Sequence, residues 1–266
     1  MFTAVIIMIL LIMGCTQSKD NTDGNPENVL QQEGNMEFKY AQNFNVDYYK
    51  GGYSIISVSD GTRYLVVPEG QDVPADLDKD ITVLKQPINN IYLVATSSMC
   101  LFDALNSLDA IKFSGTKAEE WYIENARSAM EAGNIIYAGK YNIPDYELIM
   151  SGNCNLAIES TMINHTPEVK EKLKELGIPV ITDQSSYETH PLGRTEWIKL
   201  YGLLMGKESE AKQIFDEQAG YIEELANQEK TDKTVAFFYI SSSGNAIARK
   251  SGDYVTRMIE LAGGNY

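Results

Sequence analysis

The stretch "YETHPLGR" places Glu188, His190 and Arg194 within seven residues. A planar guanidinium fork suits an anionic group, and an imidazole can meet a metal centre. A purely structural assignment of the same residues pairs Arg194 with Glu188 and has His190 cap the next helix. Ser97, Ser98 and Met99 follow a short apolar run and read as ligand contacts, or as a helix cap plus a core methionine. Glu159 and Ser160 close the run "NLAIES". A carboxylate ending an apolar strand is costly unless hydrogen-bonded or facing a cleft. Trp121 and Tyr122 offer stacking faces, or buried packing. Lys140 and Tyr141 follow another short strand, and Tyr239 and Arg249 are weaker candidates near the far end. Catalytic patterns are absent: only His165 and His190 could act as imidazole bases, and there is no GxSxG, HExxH or paired-carboxylate motif. A bare zinc or manganese site would have to draw on His165, Glu159, Glu188 and His190.

These residues need strands to aim them. Ile91–Ala95 reads as a short, wholly apolar strand, the run 153–160 as a second strand with an apolar centre, and Ile178–Ile181 as the start of a third. Helical segments alternate with them, which predicts a parallel sheet covered on both faces. In "NHTPEVKEKLKELGIPVIT", Thr166 is a natural N-cap, Pro167 fits the first helical position and Gly177 ends the helix. "GRTEWIKLYGLLMG" reads as one helix stopped by Gly206. Residues 208–228 form a single rod with an apolar stripe of Ala211, Ile214, Phe215, Ile222 and Leu225, interrupted by Gln218. About 20 residues give a rod of roughly 30 Å. Beyond it, Val235–Ile240 is a fully apolar strand that needs partners and cover, and a helix follows. Before these units, residues 36–67 carry Gly51-Gly52 and Asp60-Gly61 turn signals and predict a small antiparallel meander.

The amino-terminal end has its own logic. Residues 2–13 are apolar apart from Thr3, too short for a membrane span of about 20 residues but suited to the core of a signal peptide. No Lys or Arg precedes that run, a departure from the usual signal pattern. Gly14-Cys15 at its end resembles a bacterial lipobox, which implies cleavage after residue 14 and lipid on Cys15. Residues 16–35 are polar and carry too little apolar surface to fold. About 250 residues then remain, enough for one large domain or two lobes. With 37 acidic against 22 basic residues the formal net charge is -15, a field that repels nucleic-acid phosphates. Cys100 and Cys154 could bond to each other or remain free thiols.

The order of these units resembles the substrate-binding proteins of iron–siderophore, haem and cobalamin ABC importers. "IYLVATSSMCLFDALNSLDAIKFSGT" looks like that family's opening strand, loop and helix. "NLAIES" with "TPEVKEKLKELGIPVI" looks like its second strand–helix–strand. "HPLGRTEWIKLYGLLMGKESEAKQIFDE" leads into its backbone helix, and "KTVAFFYISSSGNAIARKSGDYVTRMIELAGGNY" looks like the start of its second lobe. The likeness covers about residues 88–266. It implies an α/β, two-lobed periplasmic-binding-protein fold with parallel-sheet lobes joined by one long helix, the second lobe being incomplete and the chain truncated there. The expected organisation is a signal peptide at 1–14, a tether at 15–35 and a first lobe at 36–190. Connecting helices at 191–230 and the start of a second lobe at 231–266 complete it. The implied protein is a monomeric lipid-anchored binder on the outer face of the membrane, without a cofactor of its own. Its ligand would be a ferric siderophore, placed ahead of haem and cobalamin on family frequency alone. The resemblance also implies that Glu168, with Glu171 as the fallback, meets arginines of the permease; a helix-dipole role would explain Glu168 equally well.

Overall fold

In the computed structural model, residues 30–226 and 230–266 are described. Two five-stranded sheets build the larger unit. The first contains β1 (Gln32–Asn35), β2 (Phe44–Tyr49), β3 (Tyr53–Val58), β4 (Arg63–Val67) and β5 (Ile81–Lys85), in that spatial order. Pairings are antiparallel up to β4, and β5 then lies parallel to β4. The expected meander at 36–67 is thus the middle of a larger mixed sheet. Gly51 and Gly52 turn β2 into β3 with φ of 91° and 83°, the left-handed region that glycine enters without penalty. The expected tether ends early, because Leu30 is buried and β1 pairs with β2.

The second sheet is parallel throughout. It comprises β6 (Ile91–Leu93), β7 (Ile111–Ser114), β8 (Ile136–Tyr137), β11 (Ala157–Ser160) and β12 (Val180–Asp183), ordered β12-β11-β6-β7-β8. A two-stranded ribbon, β9 (Gly139–Lys140) and β10 (Ile143–Pro144), leaves the end of β8. The helices are α1 (Thr96–Ala104), α2 (Glu124–Glu131), α3 (Tyr146–Ser151), α4 (Pro167–Glu175), α5 (Pro191–Glu196), α6 (Ile198–Met205), α7 (Glu208–Ala226) and α8 (Tyr254–Leu261). The parallel sheet sends alternate residues to two cores. Ile91, Leu93, Ile158 and Ile181 join Val46, Ile56 and Val66 of the first sheet, with Phe102, Trp197, Tyr201 and Phe215 from the helices. Tyr92, Phe113, Ala157 and Val180 instead pack under α3 and α4. Tyr64 bridges the sheets by donating its hydroxyl to the Val180 carbonyl at 2.7 Å.

Helix boundaries follow their caps only in part. Pro167 opens α4 and Gly206 ends α6 in the left-handed conformation, φ 66°. Thr166 sits at the N-cap of α4 but makes no capping bond. Ala95, not Ser97 or Ser98, occupies the N-cap of α1. The expected single helix at 193–206 is two, α5 and α6, which meet at Trp197.

The rod is continuous. As the 19-residue helix α7 it spans about 28 Å. It buries Ala211, Phe215 and Ala219 while Leu225 is exposed, so the stripe runs through Ala219 rather than Gln218. Past α7, β13 (Phe238–Ile240) pairs antiparallel with β14 (Ala246–Ala248) in a sheet separate from that of β6. The expected burial of Val235–Ile240 is not observed. Phe238, Tyr239 and Ile240 are 56–61% exposed, because within the described residues only β14 pairs with β13.

Candidate ligand-binding edge

The carboxyl ends of the five parallel strands lie along one rim, where loops of an open α/β sheet gather ligands. From one end to the other the rim holds the loops after β12, β11, β6, β7 and β8. At about 4.8 Å per strand it is roughly 20 Å long.

Several expected contacts are enclosed instead. Ser98 is buried and shares a network in which Ser98 Oγ and the Tyr201 hydroxyl both donate to Asp183 Oδ2, at 2.6 and 2.5 Å. Met99 is a core side chain with no exposure. The indole of Trp121 donates to Ser114 Oγ at 3.2 Å and is buried, so it offers no stacking face. Glu188 is 3% exposed and accepts from the backbone N–H groups of Gln42 and Asn43 and from the Trp197 indole. Beside it, Glu196 accepts from the N–H groups of Lys39, Tyr40 and Ala41, and pairs with Lys199 at 2.7 Å. The two carboxylates pin the strand-entry segment 39–43 onto the parallel-sheet unit.

Glu159 is also fully enclosed, among the side chains under α3 and α4. Neither carboxylate oxygen has a hydrogen-bond partner. Burial pushes its pKa up to about 8, against a modest opposing pull from Lys170. The Lys170 ammonium goes elsewhere, to Thr182 Oγ1 at 2.9 Å and towards Asp60 at 3.7 Å.

His190 and Arg194 are half-buried and already engaged. His190 stacks on Tyr40 with centroids 4.3 Å apart and accepts from the Leu192 N–H, which is the capping role. Burial, then the nearby Arg257, lowers its pKa. Arg194 donates to the carbonyls of Glu188 and Ser186, and its guanidinium lies 3.5 Å from the Tyr254 ring centroid on α8. It pairs with the backbone of Glu188 rather than with the carboxylate. The four donors conceivable for a bare metal do not converge: among the described residues no group of three His, Cys, Asp or Glu side chains could hold an ion.

The accessible part of the rim has a different composition. Ser97 is exposed, with its hydroxyl 3.4 Å from that of Ser185, and Ser160 is half-buried. Tyr122 is wholly exposed, and Tyr141 is half-buried against the α3–α4 core. Lys140 is exposed, 4.0 Å from Glu120. Sequence reasoning missed Ile143, Met162 and Tyr187, which are 74%, 46% and 62% exposed in loops of this rim. Large apolar residues just beyond a strand's end, where turns are normally polar, are the signal that marks them. Across α7, Tyr239 is exposed and Arg249 stands 3.5 Å from Asp253. Glu168 and Glu171 are exposed on α4. Cys100 and Cys154 are free thiols, and Cys15 lies outside the described residues.

A cavity of about 360 Å³ lies away from the rim, lined by Met36, Tyr48, Lys199, Glu208 and Lys212 among others. Several of its polar groups are already paired: Tyr48 with Glu208 at 2.6 Å, Lys199 with Glu196, and Lys212 with Asp216.

No protein-family model matches the sequence. An uncharacterized lipoprotein of Methanocaldococcus jannaschii is 24% identical over 98% of this chain and 70% of its own length. The petrobactin-binding protein YclQ from Bacillus subtilis superposes with a TM-score of 0.56 at 14% identity, over 80% of this chain and 66% of that one. The periplasmic haem-binding protein HutB of Vibrio cholerae gives 0.54 at 18% identity, over 66% and 64%. The fold is that of the two-lobed periplasmic binding proteins. This chain spans about two thirds of the length of those solved chains.

Proposed function

We propose that this chain is the extracytoplasmic ligand-binding component of an ABC importer for an iron complex, a ferric siderophore in the first instance, and that lipid on Cys15 anchors it. The observation that carries the reading is α7, one unbroken helix between a parallel-sheet unit with an open, apolar carboxyl edge and a second unit that returns to that edge through α8. A stiff strut permits little change of angle, which suits a largely preformed cleft for a bulky guest. Binding proteins of the same fold include ones described as petrobactin- and haem-binding, and the lipoprotein relative supports the anchor. The role is capture and delivery, without catalysis.

Direct titration tests it: tyrosine and tryptophan fluorescence is followed as the protein meets ferric siderophores, haemin and cobalamin. Saturable quenching by a ferric siderophore or by haemin is expected; quenching by cobalamin alone, or by none of them, would overturn the iron-complex reading. Glu168 and Glu171 are assigned to permease contact. Replacing both with Ala should leave ligand affinity unchanged while cutting cellular uptake at least fivefold; normal uptake would remove them from that role.

A further inference from the structure

Resting on the importer reading, we infer that the complex held at this rim is a neutral or cationic chelate with a broad apolar surface, not a polyanion. Three observations converge. The first is apolar reach: Tyr187, Met162, Tyr122 and Ile143 are exposed in the loops after β12, β11, β7 and β8 respectively. They are thus distributed along the roughly 20 Å edge rather than gathered at one end. Between them the central loops offer the hydroxyls of Thr96, Ser97, Ser160 and Thr161, which are uncharged donors, beside the exposed Asn164 and His165.

The second observation concerns the cations. Lysine and arginine appear in the rim loops only as Lys117 and Lys140, with Arg194 on α5 just beyond the loop after β12. Lys117 lies 4.0 Å from Glu119, and Lys140 lies 4.0 Å from Glu120. Arg194 is committed to two carbonyls and the Tyr254 ring. On the second unit Lys230, Lys233 and Lys250 are exposed, whereas Arg249 stands against Asp253 and Arg257 against Glu260. At the rim cations and at these two arginines a polyanionic ligand would have to compete with a resident carboxylate or dismantle a packed contact. The third is the field of the whole chain: at a net charge of -15 it repels an approaching anion and concentrates cations.

The test uses the full chain and three ferric probes of matched size: a neutral tris-hydroxamate, a linear hydroxamate complex of charge +1, and a tris-catecholate of charge -3. Fluorescence-quench affinities are measured at about 0.05 and 0.5 M salt, a range over which screening lengths change roughly threefold. The neutral and cationic probes should bind at least tenfold tighter than the trianion. Affinity for the neutral probe should not depend on salt. Tyr122→Ala with Tyr187→Ala should weaken the neutral probe at least fivefold, and Lys140→Ala should leave it unchanged. If the trianion binds as tightly or tighter, or if Lys140→Ala abolishes binding of the preferred probe, the charge assignment falls while the importer reading stands. If none of the three probes binds, this inference falls, while the importer reading is decided separately by the haemin titration.

Discussion

A carboxylate without a hydrogen bond in a packed interior is the most consequential single group in this chain. Glu159 and Thr182 are register partners on neighbouring strands, and the nearest ammonium, that of Lys170, prefers the Thr182 hydroxyl and the Asp60 carboxylate. Glu159 is therefore held neutral until its raised pKa of about 8, against an ordinary 4.5. Between those values the native state keeps a proton that the unfolded chain releases. The contribution is complete below about pH 4.5 and is lost as the pH climbs through 8. Glu159→Gln, which preserves shape and cannot ionise, should remove that loss. In urea titrations the variant's advantage over the parent should widen between pH 5 and 8 by up to about 3–4 kcal/mol. Parallel pH profiles would show that the group has found a partner or water. Glu188 and Glu196 illustrate the opposite solution: five backbone N–H groups of residues 39–43 converge on the pair, so burial is compensated by charge-assisted hydrogen bonds.

Elements explain which parts of this architecture could be foreseen. Gly202 on α6 faces Ala211 on α7, and a Cβ added there would lie 2.4 Å from the Ala211 Cβ and 3.0 Å from the Lys207 carbonyl. Glycine here sets how closely the strut seats on the first unit. Gly202→Ala gains up to about 1 kcal/mol of helix propensity but forces the helices apart. A net loss of roughly 1–3 kcal/mol is expected in denaturant melts; an unchanged or raised midpoint would mean that the α6–α7 contact yields easily. The alternation of apolar strands and punctuated helices made the parallel sheet and the rod legible, since periodicity and caps are local signals. The mixed sheet was legible only at its hairpins. β5 pairs parallel to β4 across an intervening excursion of 13 residues, and no short-range pattern announces a non-local partner. Some of the candidate site residues are enclosed for a related reason. Glu188 and Trp121 have ligand-binding chemistry, and whether they face a cleft or segment 39–43 depends on chain parts far away. His190 capping its own helix was foreseeable because that bond spans two residues.

For the molecule as a whole, the question is what fixes one unit against the other besides α7. The contact across the strut runs from α5 to α8, and Arg194 is its centre: the guanidinium covers the Tyr254 ring at 3.5 Å while donating to the Ser186 and Glu188 carbonyls. Cation–π pairs of this kind contribute about 0.5–1 kcal/mol when exposed and about 2 when desolvated, enough to change the local opening of α8 several-fold. On the importer reading, Arg194 would act on ligand binding through the position of α8 rather than by touching the guest. Arg194→Ala and Tyr254→Ala should each speed hydrogen exchange in residues 254–261 several-fold without ligand present. The double variant should exchange no faster than the single ones, since both substitutions delete one interaction. A direct ligand contact predicts the reverse, with α8 protection untouched by Arg194→Ala and only affinity changed. Exchange at α8 thus separates a residue that holds the two units in register from one that holds the guest.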